Sequence, residues 1–393
     1  MADSKTANRP RTADATASRW KLIVLLVAFV AASLVLIFWP RPPLLTNLIG
    51  HRKGVNDITF NADGSMVATA SDDGTIRLWT DRGDSIKTIT GHSERVAVVR
   101  FTPDSRRVVS ASGKGKMRIW DVETGVEVMS LDGHHECVAD MDFFDDGQLL
   151  ASVGWDQALK VWNIDTGKLV YDIEAPAVLE CCVFTPDGKR VITGGKDRVI
   201  RLWDLDTKKF TTWEGHWGAV KAIDLSVDGD TVVTCGRDWT VRLWSLRDDA
   251  MLHMFRHSAE VLGTTFSRDG MQVVAVSKDG SVLTYDVLNR SRIARFRTDL
   301  KSLLKVDSGP NGRFGACGYP ALACLWNSGR EPEMPDPEAA DSPGNTPNGT
   351  LQATDTATSK TTPPATDTVP PSPTTPGPVG VSVPSQHVEE PIP

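Results

Sequence analysis

Three histidine–aspartate pairs are the first groups in this chain with the makings of chemistry. His51 and Asp73, His134 and Asp156, and His216 and Asp238 are each 22 residues apart. An imidazole beside a carboxylate is the working part of a general acid–base dyad. The repetition argues for another role, because a structural unit is copied at fixed intervals and a catalytic group rarely is. No other reactive constellation competes with them. The chain has no nucleophile elbow, no phosphate loop and no metal-ligand set, and its six cysteines form no Cys-x-x-Cys pair.

The pairs belong to a repeat. "DDGTIRLWT" (72–80) returns as "KGKMRIWD" (114–121), "DQALKVWN" (156–163), "DRVIRLWD" (197–204) and "DWTVRLWS" (238–245), then more weakly as "DGSVLTYD" (279–286) and "PALACLWN" (320–327). The closing aromatics are Trp79, Trp120, Trp162, Trp203, Trp244, Tyr285 and Trp326, spaced 41 or 42 residues apart. Gly-His opens four units, at 50–51, 91–92, 133–134 and 215–216, and each of these histidines lies 28 residues before its tryptophan. Turns such as "FNADG" and "FTPDG" separate short alternating stretches. Asp-Gly turns between such stretches predict several short antiparallel strands per unit.

Spacing, Gly-His, turn and Trp-Asp elements together resemble the WD40-repeat family over about residues 44–327. The resemblance implies an all-β fold, a seven-bladed β-propeller with four antiparallel strands per blade. It also implies that a His, a Ser or Thr, an Asp and the Trp bond to one another inside a blade. By position, the complete sets are His51, Thr69, Asp73 and Trp79; His134, Ser152, Asp156 and Trp162; and His216, Thr234, Asp238 and Trp244. The second unit has Lys114 for the Asp, and the fourth has Ala175 for the His. The sixth has Ala275 and Tyr285, and the seventh has Thr298, Ala316 and Pro320, with a first turn one residue shorter. Blades six and seven are therefore expected to be the softest. "LLTNLI" (44–49) has no unit of its own and is expected to close blade seven beside the strand ending at Trp326.

Two appendages flank the propeller. Residues 22–39 are 18 apolar or small residues without a charge, between Trp20 and Trp39. That length spans ~27 Å as a helix, close to a bilayer's hydrocarbon core of ~30 Å, so a single uncleaved transmembrane helix is expected. Residues 1–21 form a polar basic segment, and their positive charge favours a cytoplasmic N-terminus with a periplasmic or extracellular propeller. A cytoplasmic propeller is the alternative. Residues 331–393 hold 15 prolines and a net charge of −8. They have too few large apolar groups to bury a core, so a disordered Pro/Thr-rich tail is expected. The chain's −7 leaves a mildly acidic propeller, which disfavours nucleic acid.

The cysteines occupy strand positions and read as small buried hydrophobes. Cys317 and Cys324 lie on two strands of one hairpin in blade seven and are equidistant from its apparent turn. A cross-strand disulfide is one reading for an exported propeller, and two reduced thiols is the other.

The family's layout places the anchor and tail on one face and the Gly-His loops on the other, away from the membrane. On that free face, Trp155, Trp217 and Trp239 are expected to cluster with Lys196, Arg198 and Arg237 over blades three to five. Tyr319 holds the equivalent position in blade seven. Trp and Arg dominate interface hot spots. The leading expectation is a monomeric, membrane-tethered, non-catalytic scaffold without cofactors, binding a protein or peptide there. A small-molecule or enzymatic site in the central channel is one alternative, and a structural envelope spacer is another.

Overall fold

The computed structural model describes residues 46–144 and 147–327. The basic segment 1–21, the apolar run 22–39 and the tail 331–393 lie outside the described residues. No helix among the described residues is long and apolar enough to cross a membrane.

The described residues form seven four-stranded antiparallel sheets. Blade one runs from its inner strand Val55–Phe60 through Met66–Ser71 and Ile76–Thr80 to its outer strand Ser85–Ile89. Five more blades repeat this order, with inner strands Val96–Phe101, Val138–Phe143, Leu179–Phe184, Val220–Leu225 and Val261–Phe266. The middle strands are buried on both faces, as in "MVATAS", because each sheet is packed between two neighbours. Core clusters accordingly join successive blades: Val161 of blade three meets Leu179 and Trp203 of blade four. Burying both faces removes the strict apolar–polar alternation of a half-exposed strand.

Blade seven is made from both ends of the repeat region. Ser302–Ser308, Arg313–Tyr319 and Leu322–Asn327 supply three strands, and Thr46–Ile49 supplies the fourth. Thr46 pairs with Leu325 and Ile49 with Leu322. Leu48 is buried in the seam between blades seven and one, while Ile49 is 77% exposed. The seam is reinforced by an ion pair from Arg313 to Asp81 and by the Tyr319 hydroxyl donating to Asp72. Blade seven's first turn encloses five residues between Ser308 and Phe314, against six between Phe60 and Val67.

The register overturns the cross-strand disulfide. Cys317 pairs with Ala323, and Cys324 with Ala316. Neighbouring positions on a strand point to opposite faces. Cys317 thus packs into the seam with Leu48 and Ile58, and Cys324 packs with Phe314 and Trp326 on the other face. All six cysteines are free and buried. The equidistance was misread because the hairpin is centred on Pro320 itself, as the others are centred on the equivalent Asp.

Each inner strand carries a register shift at the same place, such as Val55/Asp57 and Val138/Asp140. A bulge re-aims side chains. Here carboxylates reach across to the next blade's backbone. Asp57 accepts from Val99 N at 2.9 Å, Asp142 from Phe184 N at 2.7 Å, Asp224 from Phe266 N at 2.7 Å and Asp307 from Phe60 N at 2.8 Å. Arg100 bridges Asp57 and Asp140 at 2.5 and 2.7 Å, and Lys305 joins Asp140 at 3.3 Å. These groups line a central cavity of about 410 Å³. Burial pushes Asp142 up to about 7 and Asp224 up to about 6, since the next blade's N–H only partly offsets desolvation.

Two outcomes follow from these contacts. Leu48→Ala is expected to lower unfolding free energy by ~2–5 kcal/mol, whereas its exposed neighbour Ile49→Ala changes it by about 0.5 kcal/mol or less, measured by denaturant titration. Equal effects would disprove the seam. Asp142 and Asp224 hold their protons more tightly folded than unfolded. Their contribution is therefore most favourable below about pH 4, and it is lost as pH rises through about 6 and 7. The doubly substituted Asp142→Asn, Asp224→Asn chain escapes that loss. Its Tm is expected to exceed the parent's at about pH 8, with the gap narrowing as pH falls and closing by about pH 4. A pH-independent gap would contradict the assignment.

Candidate interaction face

The three complete sets form the same bonded chain. His51 Nδ1 meets Asp73 at 3.0 Å, its Nε2 meets Thr69 Oγ1 at 2.8 Å, and Trp79 Nε1 donates to Thr69 Oγ1 at 2.9 Å. His134 meets Asp156 and Ser152, each at 2.8 Å, and Trp162 donates to Ser152 at 2.9 Å. His216 meets Asp238 and Thr234, each at 2.8 Å, and Trp244 donates to Thr234 at 2.8 Å. The indole can only donate, so the hydroxyl accepts from it and donates its own hydrogen bond to Nε2. The imidazole is then neutral and donates from Nδ1 to the carboxylate.

Ser152, His134 and Asp156 have the connectivity of a nucleophilic triad. Their chemistry is closed off all the same. Ser152, Thr69 and Thr234 are fully buried, and an indole occupies each hydroxyl's accepting side. Burial holds His51 and His216 below the ordinary imidazole value despite their carboxylates. Burial also opposes ionisation of Asp238, but hydrogen bonds from His216, Thr240 and the Trp217 N–H outweigh it and keep the group ionised.

The incomplete blades find other partners. In blade two, Lys114 is exposed and pairs with Glu94, and burial pushes His92 down to about 4. In blade four, Asp197 turns to Arg201, and Trp203 still donates to Thr193 at 2.8 Å. In blade six, where Ala275 brings no hydroxyl, the Tyr285 phenol supplies one and meets His257 Nε2 at 2.6 Å. In blade seven, Trp326 packs against Phe296 and Phe314.

The network also positions the loop tips. Each carboxylate accepts the backbone N–H of the residue after its histidine, at 2.9 Å for Arg52, 3.1 Å for His135 and 3.1 Å for Trp217. Asp238 thus holds the Trp217 loop while Trp239 follows it directly in the turn. Trp155 is 42% exposed, Trp217 65% and Trp239 52%. Lys196 Nζ lies 5.7 Å from the Trp155 ring centroid, within cation–π range. Arg242 and Arg256 lie 5.5 and 6.0 Å from that of Trp217. Arg198 and Trp217 line one cleft of about 510 Å³ together with Glu214. Arg237 is 4.0 Å from Glu260. Tyr319, 40% exposed, lies in blade seven away from this cluster, where it packs on Gly54 and donates to Asp72 across the closing seam.

Residue-by-residue reading missed Arg242, Arg256 and Glu214. It also missed a backbone signal. The residue after the network Asp position is Gly74, Gly115 and Gly280 in blades one, two and six, all with positive φ. Blades three to five place Gln157 (φ 61), Arg198 (φ 77) and Trp239 (φ 64) there. Left-handed backbone costs an ordinary side chain about 1–2 kcal/mol. That signal was readable in the missing glycines of "DQAL", "DRVI" and "DWTV".

Among the described residues, no group of three or more His, Cys, Asp or Glu is arranged to hold a metal ion. The family profile described as "WD domain, G-beta repeat" matches residues 42–80, 83–121, 125–163, 167–204 and 207–245. A 55-residue stretch is 42% identical to Pre-mRNA-processing factor 19 homolog 2 of Arabidopsis thaliana, covering 14% of this chain and 10% of that protein. Profile, repeat spacing and seven four-stranded blades agree: the chain belongs to the WD40-repeat family.

Proposed function

We propose that this chain is a non-catalytic interaction scaffold, tethered to a membrane by residues 22–39, that binds a protein or peptide over blades three to five. One observation carries the binding reading. Blades three and five bear the exposed tryptophans Trp155, Trp217 and Trp239, and blades three to five put Gln157, Arg198 and Trp239 where blades one, two and six use glycine. Strain of this kind persists where function opposes its removal. WD40 propellers generally serve as protein-interaction scaffolds, which supports the class of function. The role named for the Arabidopsis relative is not carried over, because the match spans a tenth of that protein.

The tether rests on the 18-residue apolar run and its flanking tryptophans. The basic segment before it supports a propeller on the exterior side. Two reporters fused after residue 393, one active only in an oxidising exterior and one only in the cytoplasm, test this. Signal from the exterior reporter is expected, and signal from the cytoplasmic one alone reverses the orientation.

The binding reading is tested by cross-linking capture. The variant Trp155→Ala, Trp217→Ala, Trp239→Ala is expected to lose the proteins captured by the parent chain. Deleting residues 331–393 is expected to leave them captured. Retention by the triple variant, with loss on tail deletion, would transfer the function to the tail.

A further inference from the structure

The propeller as a whole is mildly acidic, yet its turn tips change sign around the ring. The positions flanking the network Asp are Asp72 and Gly74 in blade one and Gly113 and Gly115 in blade two. In blades four to six they become Lys196 and Arg198, Arg237 and Trp239, and Lys278 and Gly280. Arg256 adds a fifth exposed cation, against Trp217. Among the described residues, Lys196, Arg198 and Arg256 have no ion-pair partner. Glu260 is already shared between Arg237 and Lys278. Asp197 and Asp238 are committed to Arg201 and to His216 and Arg242. Blade three carries Glu136 and Glu174 instead, which bounds the basic sector.

We propose that the tips of blades four to six receive an extended acidic peptide, with a carboxylate held by Arg198 and an apolar or proline residue packed on Trp217 beside it. This rests on the reading of the face as an interaction surface and adds the chemistry of the partner. Both side chains line the same cleft, and Arg198 is held out on left-handed backbone at φ 77. An unpaired guanidinium can take a carboxylate through two parallel hydrogen bonds. An exposed indole offers a flat apolar platform of the kind proline-rich segments use. Glu214, on the cleft's rim, opposes an acidic ligand and supplies an internal control.

The probe is a fluorescein-labelled peptide of alternating Glu and Pro, titrated with the purified full chain and followed by anisotropy. A Lys-Pro peptide and single-stranded oligothymidylate run beside it. The Glu-Pro peptide is expected to bind and to weaken with rising salt. Arg198→Glu is expected to weaken it at least about tenfold, and Trp217→Ala at least about fivefold. Glu214→Gln is expected to tighten it. Arg198→Gly relieves the backbone strain, so it is expected to raise Tm while weakening the peptide; a merely structural Arg198 would not give that opposite movement. Tighter binding of the Lys-Pro peptide or the oligonucleotide, or indifference of Glu-Pro binding to Arg198→Glu, overturns the proposal. The cross-linking capture separates the two readings. If the triple tryptophan variant loses its partners while the Glu-Pro peptide does not bind, the surface stands and its acidic specificity falls.

Discussion

One hydroxyl group in each regular blade organises the rest. Thr69, Ser152 and Thr234 sit where no water reaches, and each must accept from an indole and donate to an imidazole at once. That fixes the imidazole's tautomer, and the tautomer fixes a carboxylate at the far side. The carboxylate in turn takes the backbone N–H of the next loop. A buried polar chain of this kind is stable only when every member is satisfied. Loop tips on the outer surface are thus positioned from the blade interior, and their side chains are free to vary.

The variants of this chain show what it tolerates. Blade six loses its hydroxyl at Ala275, but Tyr285 brings one on a longer arm and keeps His257 Nε2 satisfied. Blade two loses its carboxylate, and Lys114 is left outside, facing Glu94. Blade four loses its histidine, and Asp197 keeps the pair with Arg201 that Asp238 makes with Arg242 in blade five. In blade two the departure from the network set also alters the charge presented at the tip.

Much of this was legible in the sequence because the repeat is dense in hydrogen-bonding residues of fixed spacing. The intervals from His to Trp locate the blades. The hydroxyls at Thr69, Ser152 and Thr234, chosen by position within the repeat, are those found between imidazole and indole. The strand found at Thr46–Ile49 was readable as a segment without a unit. Other features were hidden because they depend on register or on partners far away in the chain. A one-residue error in a hairpin's register moved Cys324 to the wrong face. Tyr319 is an exposed aromatic as its position suggested, but its bond to Asp72, 247 residues earlier, was hidden. The inner-strand bulges, and the carboxylates they turn toward the next blade, leave no mark in the local pattern of apolar residues.

The closing strand sets an order on the birth of the molecule. Thr46 finds its partner Leu325 about 280 residues later in the chain. At about 5–20 residues per second, roughly 15–55 s pass on the ribosome between the appearance of the two. Through that interval the Leu48 side chain has no seam to enter, and the first blade has no neighbour on one side. The six blades formed in the meantime can stack on one another from the front, but the ring cannot lock. The last repeat to be made is therefore the one that retroactively shelters the first.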